Sequence, residues 1–558
     1  MAAGNSHAVP VCSTGSTGQV SVSDPEVRVN VYYAAPDPTV SDTTVPAGAT
    51  SIPIDTALGG QASNLHPSVS TTIEAGAVLL VLQMIGADID TSNNHLATGD
   101  YGDGAGGLTQ AGSLNNANFT VGLYEFVVAT GPVSGGAIPI EGNSGTGGLL
   151  NNYTNSDTIS TIQGFRRYQV VKVPQFADLA LSGEIVSDRW NGRWGGISAI
   201  NVRQTLSLDG GSFNADGRGY RGGQFFPERS DSTAGVTGNF GFKGEGIAGL
   251  PQRLFSRVLL AEEPSTNGEE TGPDGYAGTD DLGPAGTDWT RDAGLGAPGN
   301  AGSGGGGSED AGGGGGGNFG AGGSGGQGVE AGGDEGIGGA PFPQHFAATP
   351  ARMIMGGGGG ASNGDDTGQL DLTVSSGQAG GGMVFIRATA ISASSNGGTI
   401  SANGDSGGTA ASEGGGGGGA GGTVLIHTDN STVDGFNILT VGGNGGSSLQ
   451  TLDGGGGGGS GGVIWFSDTS RGSSPALTTI AGGLGGTGAS GGDFNGTAGA
   501  DGTFFDIAPI AAFDCNFVNI GIAKALTNQT RVGTTGAVFD LEFTLTLENL
   551  GDNDAINI

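Results

Sequence analysis

Between residues 381 and 508 the chain repeats itself at a fixed interval of forty. Gly-Gly-Met-Val-Phe-Ile (381–386), Gly-Gly-Thr-Val-Leu-Ile (421–426), Gly-Gly-Val-Ile-Trp-Phe (461–466) and Asp-Gly-Thr-Phe-Phe (501–505) open successive rows. Self-similarity at such a period marks a stacked-repeat architecture, because a unit of that size cannot bury its own core and does so against its neighbours. The columns are chemically uniform: Val384, Val424, Ile464 and Phe504; then Phe385, Leu425, Trp465 and Phe505; then Ile386, Ile426 and Phe466. Each row therefore carries a short strand that is apolar on both faces and must be covered on both sides.

Two rows also place six consecutive glycines ahead of that strand, Gly414 to Gly419 and Gly454 to Gly459, again forty apart. One reading is a flexible linker, since glycine loses the most entropy on ordering. A linker, however, needs neither fixed length nor fixed register. In an extended helix of three residues per turn and about 3.1 Å per residue, six glycines span roughly 19 Å, close to the ~17–20 Å of a five- or six-residue strand. The spacing predicts polyglycine II-type rows lying alongside the strands and stacking in register, where only glycine lets backbones approach closely, as at the collagen axis.

Glycine supplies 122 of the 558 residues, yet there is no Gly-X-Y period and there are only 21 prolines, which excludes collagen. With 53 acidic and 19 basic residues the formal net charge is −34, so phosphate backbones and anionic lipid would repel the chain. That argues against nucleic acid and membrane-surface partners. No apolar run is long enough to span a membrane. The first dozen residues lack the apolar core of a signal peptide, so the start reads as a mature or artificial boundary and export is inferred from composition. Cys12 and Cys515 bracket the body of the chain without metal-ligand spacing. A disulfide closing a very long loop and a pair of free thiols both fit them.

In order, residues 1–190 read as an N-terminal β-sandwich, with strands expected at 27–34, 77–89, 123–130, 137–141 and 168–173 between Gly, Asn, Asp and Pro clusters. Gly-Gly-Ile-Ser-Ala-Ile (195–200) resembles the repeat opening, so residues 191–223 read as a first solenoid turn. Residues 224–380 read as a glycine-rich, acidic insertion, partly ordered polyglycine and partly loop. Residues 381–512 form the expected β-solenoid of about forty-residue repeats, with the row at 501 as its capping turn. Residues 513–558 lose the glycine and read as a partial domain. The fold class is all-β.

Within that last segment, Lys524, the alternating Phe539, Leu541, Phe543, Leu545 and Leu547, and the turn Glu548-Asn549-Leu550-Gly551 followed by Asp554-Ala555 resemble the opening of a conserved immunoglobulin-like repeat found in tandem in bacterial surface proteins. The match covers about three strands where that fold needs about seven, which implies that either further chain or a neighbouring molecule completes the sheet. An exposed alternating strand is a template for pairing, so these five residues, with Cys12 and Cys515, are the expected assembly residues. The layout as a whole resembles the large glycine-rich surface proteins of Gram-negative bacteria, on segments 122–130, 165–176 and 189–196 of the head together with the repeats and glycine tracts. The tracts also resemble those of some phage tail-tip adhesins. Neither resemblance implies a catalytic activity.

The residues themselves carry little chemistry. His7, His66, His95, His345 and His427 show no pairing at metal or triad spacing. Asp405, Asp429 or Asp434 with Arg387 would be the acids and basic partner of a sugar-cleaving solenoid, but they stand in turn-rich stretches where Asp is favoured structurally. No Walker-type Lys-Ser or Lys-Thr follows the glycine tracts. Asp88, Asp90, Asn93, Asp100 and Asp103 offer oxygen ligands at spacings that suit Ca²⁺, without the twelve-residue loop ending in Glu; a solvated Asx-rich loop is the plainer reading. Trp190, Arg193 and Trp194 offer stacking rings and a planar donor for a glycan, or else an edge and a core anchor. The reading is a non-enzymatic, secreted or bacterial cell-surface structural or adhesive protein, self-assembling into a homopolymer as a filament or sheath subunit. The alternatives are the head of a long adhesin and a carbohydrate-binding or carbohydrate-active solenoid. An ice-binding face would need a regular Thr ladder, which the columns lack.

Overall fold

The computed structural model describes residues 17–38, 40, 42–89, 114–115, 118–157, 165–225, 241–249, 297–302, 304–305, 310–329, 335–347, 352–363, 374–428, 435–466, 477–506, 520–531 and 539–549. Among them the chain is strand and extended backbone, and the helices are single turns at Pro343–Phe346 and Gly492–Phe494. No described helix is long and apolar enough to cross a membrane.

The forty-residue register is a pairing register. Met383–Ala393, Thr423–Thr428, Val463–Phe466 and Thr503–Asp506 lie side by side and parallel, with Val384 opposite Val424, Val424 opposite Ile464 and Ile464 opposite Phe504. Each of the first three is followed by a shorter one, Thr399–Ser401, Asn437–Leu439 and Leu477–Thr479, which pair parallel in a second sheet. Period-two alternation then divides the apolar columns. Val384, Ile386, Val424, Ile426, Ile464 and Phe466 enter a core shared with Ile400 and Ile438 of the second sheet. Met383, Phe385, Leu425, Val463 and Trp465 enter a different core on the opposite face. The expected two-faced burial of these strands is thereby explained.

The parallel pairing begins earlier than the sequence suggests. The first sheet has seven strands, in the order Gly18–Val22, Gln175–Leu181, Ile197–Leu208 and then the four of the repeats. Its companion has five, starting at Glu184–Val186 and Ser212–Asn214. Residues 175–186 fall inside the segment expected to be an N-terminal domain, so a boundary at 190 cuts through both sheets. Gln175–Leu181 lacks the Gly-Gly opening that Ile197–Leu208 carries at 195–196, and neither keeps the forty-residue interval: Phe176 pairs with Val202 and Ile197 with Met383.

Between the first two rows the chain leaves to build a six-stranded antiparallel sheet, in the order Val31–Ala34, Arg167–Val173, Val78–Ile85, Tyr124–Ala129, Ala137–Glu141, Ser51–Pro53. Val78–Ile85 is buried throughout. Leu79 and Val81 join one cluster with Tyr153, Tyr168 and Ile138. Val78, Leu80, Leu82 and Met84 join the core that also holds Phe385 and Trp465. Tyr124 and Phe126 meet Phe385 edge-on, with ring centroids 5.5 and 6.2 Å apart. The inserted sheet is thus packed against the repeats by side chains, in geometry that aromatic quadrupoles favour.

Candidate functional site

The feature that sets this molecule apart is its glycine rows, and their hydrogen bonds define the geometry. In residues 413–422 the N–H groups of Gly415, Gly418 and Gly421 donate to the carbonyls of Gly454, Gly457 and Ser460. Those of Gly417 and Ala420 donate to Gly360 and Gly357, and those of Gly419 and Gly422 to Asp405 and Ala402. In return the carbonyls of Gly415 and Gly418 accept from Gly313 and Gly316, those of Gly417 and Ala420 from Gln378 and Gly381, and those of Gly416 and Gly419 from Gly446 and Gly443. Each neighbour is met at every third residue, as a three-residue turn requires. The row therefore touches six others, three running its own way and three the opposite way.

Residues 453–462 repeat the pattern, bonded to 310–316, 323–326, 415–421, 440–446, 483–486 and 494–500. A Cβ on Gly415 would lie 2.0 Å from the Gly446 carbonyl oxygen, and one on Gly456 2.1 Å from that of Gly416. Neither glycine has a left-handed φ. The missing Cβ is required by the approach of the neighbouring backbone, and unusual dihedral angles play no part. Gly414, Gly419, Gly454 and Gly459 all belong to these rows and are buried. Members of the lattice also come from the stretch read as an insertion: 241–245, 311–317, 321–327 and 354–362. Asn318, fully buried, donates its Nδ2 to the Gly421 carbonyl at 2.6 Å, and Thr423 donates its hydroxyl to the Ile354 carbonyl at 2.6 Å. A lone Asn at the end of Gly312 to Gly317 is the sequence signal for the first of these.

The candidate ligand sites fare differently. Trp190 is 2 % exposed and donates its indole N–H to Glu245 at 3.0 Å. Glu245 is also held by Arg221, through Nε at 2.7 Å and Nη2 at 3.0 Å. The ring is a core anchor, the second of the two readings, and offers no face for stacking a sugar. Trp194 stacks on Tyr32 with centroids 5.7 Å apart, and Arg193 donates to Asp55 at 2.8 Å and to the Ala35 carbonyl. Burial pushes the Asp55 carboxyl up, but the hydrogen bonds from Arg193, Leu58 and Ala57 outweigh it and hold the group below the usual carboxylate range. The three residues lie within five positions of the sequence and serve packing and pairing.

Of the proposed Ca²⁺ ligands, only Asp88 lies within the described residues; Asp90, Asn93, Asp100 and Asp103 fall outside them. Asp88 is buried, with one oxygen paired to Arg166 and the other accepting from Asn118 Nδ2 at 2.7 Å. Both of its oxygens are already engaged by protein donors. Among the described residues no group of three His, Cys, Asp or Glu side chains is placed to hold a metal.

The expected assembly strand is Phe539–Asn549, paired antiparallel with Ile520–Arg531 in a two-stranded sheet. Phe539, Leu541, Phe543, Leu545 and Leu547 stand opposite Arg531, Gln529, Leu526, Lys524 and Ile522. Cys12 and Cys515 lie outside the described residues. His427, half-buried, stands opposite Arg387, which is 1 % exposed. Asp405 meets Arg189 at 3.4 Å.

Packing perturbs two further groups, buried Glu125 and half-buried His345. Glu125 accepts from the backbone N–H groups of Leu150 and Asn151 and from the Tyr153 hydroxyl, and burial raises its carboxyl despite them. His345 lies flat on Phe119, centroids 3.5 Å apart, and burial, with a smaller push from Arg352, lowers its imidazole to about 4. Neither has a local motif; tertiary packing creates both. Comparison with family models, curated proteins and solved structures returned no match.

Proposed function

We propose that this chain is an extracellular structural or adhesive surface protein. In this reading the parallel rows form a β-solenoid sheathed by a polyglycine II-type bundle, and the ends of the chain mediate assembly into a filament or sheath. The observation that carries it is the glycine lattice, in which one row bonds to six neighbours through backbone alone. Each glycine costs about 0.5–1 kcal/mol of extra ordering entropy relative to alanine, and each backbone hydrogen bond returns a net ~0.5–1.5 kcal/mol. A lattice bonded in three dimensions resists bending in every direction. It presents few side chains to recognise, and an acidic exterior of formal charge −34 keeps it soluble.

The hairpin of Ile520–Arg531 and Phe539–Asn549 is read as the opening of an immunoglobulin-like domain. A two-stranded sheet is marginal by itself, so further strands from a neighbouring molecule or from more chain would complete it. Electron microscopy of native surface material, with an intact mass, tests the reading. Regular filaments of this chain support a polymer subunit; single rods of a much heavier chain support the head of a long adhesin. Isolated globular particles with no surface association would refute both.

A further inference from the structure

We propose that the last row, residues 477–506, is a self-complementary docking face on which a second copy of this chain seats its own last row. The argument comes from translating the lattice by forty residues. In the row before, Gly445 donates to Leu484, and Gly458 and Gly461 donate to Thr497 and Ala500. Their counterparts one row on are Gly485, Ala498 and Asp501, whose N–H groups meet no acceptor among the described residues. Likewise Gly456 and Gly459 accept from Gly486 and Gly483, whereas the carbonyls of Gly496 and Gly499 receive no donor among the described residues. The row therefore presents donors and acceptors in alternating lines, at lattice spacing. Three further donors are satisfied within the row, Gly482 by the side chain of Asp501 at 3.0 Å, Gly488 by the Asn495 side-chain oxygen at 3.1 Å and Asn495 by the Gly492 carbonyl at 3.1 Å, so the capping is partial.

The apolar columns open at the same place. Val384, Val424 and Ile464 are fully buried, and Phe504 in their column is 43 % exposed. Leu484, in the middle of the last glycine row, is 68 % exposed. These two side chains border a surface of bare backbone, a combination that water serves poorly and a matching surface serves well.

A second copy fits because the lattice has no preferred direction. Residues 453–462 already bond to parallel rows at 310–316 and 494–500 and to antiparallel rows at 440–446 and 483–486. A last row turned by a twofold axis thus finds the same bonding geometry, and a twofold contact needs a surface with both donors and acceptors. The charges on the face, Asp493 and Asp501, are like and exposed, so they oppose the contact and salt relieves them. This inference rests on the proposed function and adds to the terminal hairpin a second surface through which copies meet.

Sedimentation of the full chain over an about hundredfold concentration range tests it. A dimer is expected, tighter at ~0.5 M than at ~0.15 M salt. Ala498→Pro removes one outward N–H while keeping the extended backbone that proline prefers, and is expected to weaken dimerisation about tenfold or more with an unchanged melting temperature. Leu484→Asp, at an exposed position, is expected to weaken it similarly. A monomer at every concentration, as when residues beyond 506 cover the face, would overturn the inference. So would a dimer indifferent to both substitutions. Filaments that persist in either variant would leave the proposed function standing and remove only this contact.

Discussion

Two regions of this molecule exclude water by opposite means. In the antiparallel sheet, strand Val78–Ile85 is buried on both faces by side chains: Leu79 and Val81 on one, Leu80 and Leu82 on the other. In the glycine rows side chains are few, and the backbones of residues 413–422 fill the space by touching six others. The first region loses contacts gradually when a methyl group is removed, because neighbours relax into the gap. The second has nowhere to put a methyl group that is added. Tolerance to change should therefore have opposite signs: the sheet suffers from deletion and the lattice from insertion of atoms.

The largest expected effect is in the lattice. Gly456→Val places atoms 2.1 Å from the carbonyl oxygen of Gly416, on backbone that is itself bonded on several sides. A loss above about 4 kcal/mol or failure to fold is expected, read by chemical denaturation. A mild effect would mean the rows are loosely packed, and the comparison would collapse. Leu80→Ala, fully buried in the sheet, should cost about 2–5 kcal/mol by the same assay. A smaller loss would show that the inserted sheet contributes little to the shared core.

Two titratable groups outside the glycine rows, buried Glu125 and half-buried His345, give the stability a pH dependence. His345 has its folded pKa lowered to about 4 from 6.5, so its contribution is full above 6.5 and is lost as pH falls toward 4. Glu125 has its folded pKa raised, so its contribution falls as pH rises through that value. His345→Gln should flatten the acid-side loss in a stability profile against pH, and Glu125→Gln should flatten the opposite slope. If neither profile changes, the two groups are already solvated. The smallest effect is expected at Gly145, where a Cβ meets nothing within 4 Å: Gly145→Ala should stay within about 0.5 kcal/mol. A large loss there would mean that glycine content itself, and not close approach, governs tolerance.

Much of the repeat region was legible beforehand because its period is a property of the covalent chain. The columns 384/424/464/504 and 385/425/465/505 became the two faces of one parallel sheet. What was illegible shares one cause. Ile197–Leu208 is announced by Gly-Gly-Ile-Ser-Ala-Ile (195–200), but Gln175–Leu181 has no such opening and pairs at another interval, so nothing local marks it as a neighbour in the same sheet. Trp190 beside Arg193 and Trp194 fits either a recognition surface or a core anchor in the sequence, and only the distant Glu245 shows the indole to be enclosed.

The sequence by itself determined that strands recur every forty residues, apolar on both faces, and that glycine tracts keep the same register; a translation along the chain carries that information whole. Only the tertiary structure decided which glycine tracts touch. Residues 413–422 meet 357–360 and 313–316 across long separations. Since every glycine offers the same N–H, the same carbonyl and no side chain, nothing in a single row distinguishes one neighbour from another until the whole lattice is packed.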